Sequence, residues 1–119
     1  MIAERRRTSR REFAYYMRVF DDRSQELIGH LADISPRGLQ IDSSAPLPVN
    51  QAYMLRLELT ADISENAFIV FEAHSRWSRP SVTDPTSYQT GFQMVSILPR
   101  ADEVFQRIVA KYGSQKPKK

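Results

Sequence analysis

The sequence predicts a mainly β fold: a six-stranded antiparallel β-barrel with a C-terminal α-helix and a flexible N-terminal arm. Three observations predict it. Six short segments alternate apolar and polar residues with period two, and Pro, Gly, Asn, Asp or Ser clusters separate them. One last segment, after Pro99, changes to the three-to-four spacing of an amphipathic helix. Many short strands with one terminal helix argue for a small barrel, and 119 residues suffice for one core but not two.

Taken in order, residues 1–12 lack an apolar period and read as an exposed arm. In the first strand, 13–20, Phe13, Tyr15, Met17 and Val19 alternate with Ala14, Tyr16, Arg18 and Phe20. Asp21-Asp22-Arg23-Ser24 is a polar turn. The second strand sets Leu27, Gly29, Leu31 and Asp33 on one face, and Ile28 and Ile34 on the other. Pro36-Arg37-Gly38 turns the chain into a short third strand, 39–42, and Pro46, Pro48 and Asn50 mark a loop. Tyr53, Leu55, Leu57 and Leu59 alternate with Met54, Arg56 and Glu58 in the fourth strand.

The fifth strand spans 68–77, and a longer loop with Pro80 and Pro85 covers 78–87. The sixth strand, 88–97, runs through Phe92, Met94 and Val95. Pro99 suits a first helical turn, and Asp102 and Glu103 favour the positive end of its dipole. Val104, Phe105, Ile108, Val109 and Tyr112 make its apolar stripe, which covers the barrel or a second subunit. Gly113 is its expected stop, and 114–119 is expected to be a disordered basic tail. Residues 13–113 therefore form one domain.

Composition narrows the function. The net charge of +3 is unevenly placed: Arg5, Arg6, Arg7, Arg10 and Arg11 share one segment, while Lys111, Lys116, Lys118 and Lys119 gather at the other end. The anion-seeking part is therefore local. No apolar run is long enough to cross a bilayer, and the basic opening lacks the apolar stretch of a signal peptide. The absence of cysteine excludes disulfide and thiolate chemistry and fits a cytoplasmic location.

Catalytic signatures are missing. His30 and His74 belong to no metal-ligand pattern, and Ser35 lacks a nucleophile-elbow context. Asp62, Glu65 and Asp84 are loop carboxylates without partners in the pattern, and no glycine-rich phosphate loop carries a lysine. The expectation is a binding protein without cofactor or metal, not an enzyme.

Two constellations carry chemistry. The first, Glu4-Arg5-Arg6-Arg7-Thr8-Ser9-Arg10-Arg11, contains Arg-x-x-x-Arg at Arg6 and Arg10. Guanidinium forks match phosphate oxygens and the O6/N7 edge of guanine two bonds at a time. Alone, such a run reads as a solvated basic tail. The second is Asp33-Ile34-Ser35-Pro36-Arg37-Gly38. Its carboxylate suits the N1/N2 edge of guanine, and its glycine is expected to turn with positive φ and admit a ligand closely. Alone, it reads as an ordinary turn.

In this order the two patterns resemble the signature of the PilZ domain family. The resemblance extends over nearly the whole chain: the Glu-Arg-Arg-Arg-x-x-Arg opening, six strands, Trp77 at the end of strand five, Gly91-Phe92 in strand six, and the closing helix. Members of that family are bacterial receptors for cyclic diguanylate, and both motifs are intact here. The resemblance implies that Arg6 and Arg10 grip phosphates and guanine edges and that Asp33, Ser35 and Gly38 form the floor under one guanine. Arg5 would match a basic residue that accompanies binding of two intercalated ligand molecules. Arg7 and Arg11 share the same spacing, but the Glu-Arg-Arg-Arg-x-x-Arg alignment selects Arg6 and Arg10.

Trp77 either stacks on a purine or packs as a rim aromatic, whereas Gly91 and Phe92 read as barrel packing. The implied function is a cyclic diguanylate receptor whose arm orders around the ligand. With no segment left for an output domain, its signal is expected to pass to a partner protein. Two other readings stand beside it: an interaction module with a vestigial site, and a barrel that binds single-stranded nucleic acid. Nucleic acid and membrane insertion are not expected partners.

Overall fold

The computed structural model describes residues 17–113. The arginine arm, the 13–16 part of the first predicted strand and the 114–119 tail lie outside the described residues. Within them the chain forms β1 (Arg18–Asp21), β2 (Leu27–Ser35), β3 (Gly38–Ser43), β4 (Ala52–Glu58), β5 (Phe68–Pro80), β6 (Tyr88–Ser96) and α1 (Pro99–Tyr112). All pairings are antiparallel, and the order β1-β2-β3-β6-β5-β4 closes on itself as a barrel.

The period-two pattern fills the interior as expected: Val19, Leu31, Ile41, Leu55, Leu57, Phe71 and Ala73 are buried. Of four register shifts in the barrel, two β-bulges decide which residues reach the outer wall of β2 and β5. In β2 the pairing shifts between Leu31 and Asp33, so Ala32 is the extra residue. Beyond it Ile34 joins Leu31 in the core, and Asp33 turns outward. The strict alternation expected from the sequence, with Asp33 on the face of Leu31, is therefore corrected. In β5 the shift falls between Ser75 and Trp77, with Arg76 as the extra residue. Ser75 is fully buried, whereas Trp77 lies outside and half-buried.

Strand β5 also runs three residues past its predicted end, to Pro80 opposite Tyr88. The bulge had interrupted the alternation that marks a strand. Trp77 accordingly sits within β5, not where it runs out.

Helix α1 begins with Pro in its first turn, has Asp102 near its start and Lys111 in its last turn, and caps one end of the barrel against β2 and β5. Phe105 and Ile108 are fully buried, and the Phe105 ring meets Phe71 edge-on at 5.5 Å. This apolar stripe is thus covered by the chain's own barrel. The helix stops at Gly113, whose N–H donates to the Val109 carbonyl at 2.8 Å. Gly113 does so in extended backbone, φ −69°, not in a left-handed cap. Its role is room: a Cβ there would meet the Val109 oxygen at 2.5 Å.

The helix is also tied to the β4–β5 loop. Asp62 Oδ2 accepts from Lys111 Nζ and from Tyr112 OH, each at 2.7 Å, and Arg107 donates to the Ile63 carbonyl at 2.7 Å. The hydrogen bond from Lys111, aided by Thr60 and Tyr112, holds the Asp62 carboxyl well below the usual carboxylate range. A depressed folded pKa contributes stability that is complete above the unfolded value, about 4, and is lost as pH falls towards the folded one. Urea melts should therefore show a constant gap between wild type and Asp62→Asn above about pH 5, narrowing as pH drops below about 4. A gap that does not change with pH would remove this role for Asp62.

Candidate functional site

Hydrogen-bond register brings distant parts of the sequence into two rows on the outer wall formed by β2, β3, β6 and β5. Asp33 pairs with Gln40, Gln40 with Gly91, and Gly91 with Trp77. One step along, Ser35 pairs with Gly38, Gly38 with Gln93, and Gln93 with His74. An open groove of about 610 Å³ lies over these rows, and Asp33, Ser35, Gly38 and Trp77 all line it. Four of the seven sequence-predicted site residues therefore share one surface. The other three, Arg5, Arg6 and Arg10, lie outside the described residues.

The local backbone explains each position. Ser35 and Gly38 are joined by the two-residue turn Pro36-Arg37, which reaches the rest of the fold through two hydrogen bonds. The Arg37 carbonyl accepts from the Met94 N–H at 2.8 Å, and the Pro36 carbonyl accepts from Gln106 Nε2 of α1 at 3.3 Å. The turn is thus held by both β6 and the helix.

Gly38 does not adopt positive φ, contrary to the expectation from the motif; no described glycine does. Its requirement is close approach: a Cβ would stand 2.2 Å from the Phe92 carbonyl oxygen. The neighbour that excludes a side chain here is strand β6.

Asp33 Oδ1 accepts the Ile34 N–H at 2.9 Å, and Oδ2 has no hydrogen-bond partner among the described residues. The Ser35 hydroxyl makes a long contact of 3.5 Å to the Gly38 carbonyl. Both groups retain hydrogen-bonding capacity towards the groove.

Trp77 is supported from below. A Cβ on Gly91 would lie 2.4, 2.5 and 2.6 Å from the indole atoms Cε2, Nε1 and Cζ2, so the ring occupies the space that Gly91 leaves. The Arg79 guanidinium stands 4.5 Å from the ring centroid. Packing on Gly91 is therefore part of the role of Trp77, and the ring also forms an edge of the groove. Phe92 is buried and meets Tyr53 edge-on at 5.3 Å, as barrel packing requires.

Sequence reasoning missed Arg37, Gln40, Arg76 and Gln93, which line the same groove. The signal for Gln40 and Gln93 was available, since both alternate with core residues of their strands. Arg76 carried no such signal, because it is the bulged residue. Arg37 and Arg76 form no ion pair among the described residues, so the groove holds two free guanidiniums against the single carboxylate of Asp33. This charge balance favours an anionic ligand that also offers hydrogen-bond donors to Asp33.

No group of three or more metal-ligating side chains occurs among the described residues. No described helix is long and apolar enough to cross a membrane. A search of curated proteins gives no match. The family model for the PilZ domain matches residues 4–111, a span that includes both the arginine segment and the groove.

Proposed function

Because the chain belongs to the PilZ domain family, which is known for binding cyclic diguanylate, we propose that it is a non-catalytic receptor that takes this ligand in the groove on its outer wall. One observation carries the reading. The Asp33-x-Ser35-x-x-Gly38 motif and Trp77, 39 residues beyond Gly38 in sequence, line a single groove with a positive charge balance.

In this reading Asp33 accepts from N1–H and N2–H of one guanine, and Ser35 bonds to the same region of the ligand. Gly38 keeps the motif flush with β6. Arg6 and Arg10 supply the guanidiniums for phosphates and guanine edges, and Arg5 supports a second ligand molecule. Trp77 presents its ring at the groove edge. Binding orders the arm over the barrel, and the changed surface is read by a partner protein in the cytoplasm.

Calorimetry with cyclic diguanylate, cyclic diadenylate and GTP tests this. Cyclic diguanylate should bind tightest, and Arg10→Ala and Asp33→Ala should each weaken it by about tenfold to a hundredfold, the loss expected for hydrogen bonds to charged groups. Similar affinity for all three ligands, or an undiminished Arg10→Ala, defeats the proposal. Tighter binding of single-stranded oligonucleotides, with a steep salt dependence, would favour the nucleic-acid reading instead.

A further inference from the structure

We propose that Gln40 is a specificity-determining residue of this groove, and that its side-chain amide donates to O6 of the guanine held by Asp33. The inference rests on the reading that the groove takes cyclic diguanylate. It comes from the register of the outer wall. Gln40 is flanked by Asp33 on one side and by Gly91, beneath the Trp77 ring, on the other.

Adjacent strands lie about 4.8 Å apart, so β2 and β6 are separated by roughly 10 Å with β3 midway between them. A base edge held by the Asp33 carboxylate is therefore within one strand spacing of Gln40, the next residue on the way to Trp77. The Gln40 side chain makes no hydrogen bond among the described residues, although it alternates with the buried Leu39 and Ile41 and lines the groove. Nothing in the described fold occupies its amide.

The chemistry follows from the base edge. A guanine that gives N1–H and N2–H to a carboxylate carries O6, an acceptor, at the adjoining position. Gln offers two N–H donors and one acceptor, so Nε2 serves O6. Adenine presents an amino group in place of O6. Glutamate at position 40 has only acceptors when ionised: it repels O6 and accepts from that amino group.

Titration of wild type, Gln40→Met and Gln40→Glu with cyclic diguanylate and cyclic diadenylate tests the assignment, with thermal melts to verify folding. Gln40→Met, similar in volume, should bind cyclic diguanylate about threefold to tenfold more weakly, the range for one neutral hydrogen bond. Gln40→Glu should be weaker still. Its preference for cyclic diguanylate over cyclic diadenylate should fall by about tenfold or more. A Gln40→Met variant within twofold of wild type, or Gln40→Glu no weaker than Gln40→Met, overturns the role of Gln40 and leaves the receptor reading intact. Failure of wild type to bind cyclic diguanylate overturns both.

Discussion

Phe105→Ala is expected to lower folding stability by about 4 kcal/mol, the middle of the range for removing a buried aromatic ring. Phe105 is fully buried in the stripe of α1 that meets the barrel, and it packs edge-on against Phe71 from the opposite element. Closed barrels and helices are both stiff, so neither side can collapse into the space left behind. A loss of this size is a large part of the stability of a small domain, about 5–15 kcal/mol. Denaturant titration at neutral pH reads it directly, as a lower midpoint with an unchanged slope. A loss below about 1 kcal/mol would mean that the helix does not plug the barrel as described.

Gly38→Ala should be the second large effect, with a loss of about 3 kcal/mol, at the upper end of overpacking costs. The new methyl would stand 2.2 Å from a main-chain oxygen of β6, and main chain in a closed barrel has little freedom to give way. The substitution also separates two accounts of this glycine. If it only admits a ligand, the variant folds with wild-type stability and loses binding alone. If it seats β3 against β6, stability falls even without ligand, and chemical denaturation of the free protein shows it. The second result is expected.

These two residues also mark what was legible in sequence. Phe105 and the helix could be read because Val104, Phe105, Ile108 and Tyr112 repeat at helical spacing after Pro99. The six strands could be read because polar and apolar residues alternate. The side on which Asp33 and Trp77 emerge could not. Each follows a bulge, and one extra residue reverses the inward and outward faces for the rest of the strand. Nothing in the residue types at Ala32 or Arg76 announces that. The motif could be recognised by its spacing, and Gln40 and Gln93 could be read as outward-facing by alternation. That these two and Arg76 stand beside the motif follows from cross-strand register, which a single sequence does not display.

The glycine of the motif is constrained by a contact that the sequence does not display. Its φ is not positive, and the constraint is a neighbouring strand 54 residues away at Phe92. Gly91 shows the same logic from the other side, since a missing side chain there makes the seat for an indole. In both cases the glycine is explained by its neighbour across the sheet and not by its own backbone angles.

The ring of strands has a consequence for how such a protein meets other molecules. β1 and β4 pair with each other, so the six described strands close into a ring without an edge strand, and the end of the β5–β6 hairpin, beyond the reach of β4, is paired on one side alone. A second polypeptide therefore finds no whole edge strand against which to lay down a strand of its own. Recognition has to be written in side chains on the curved wall, or in chain segments outside the ring. Surface substitutions can therefore retune what the wall recognises without disturbing the hydrogen-bonded hoop beneath it.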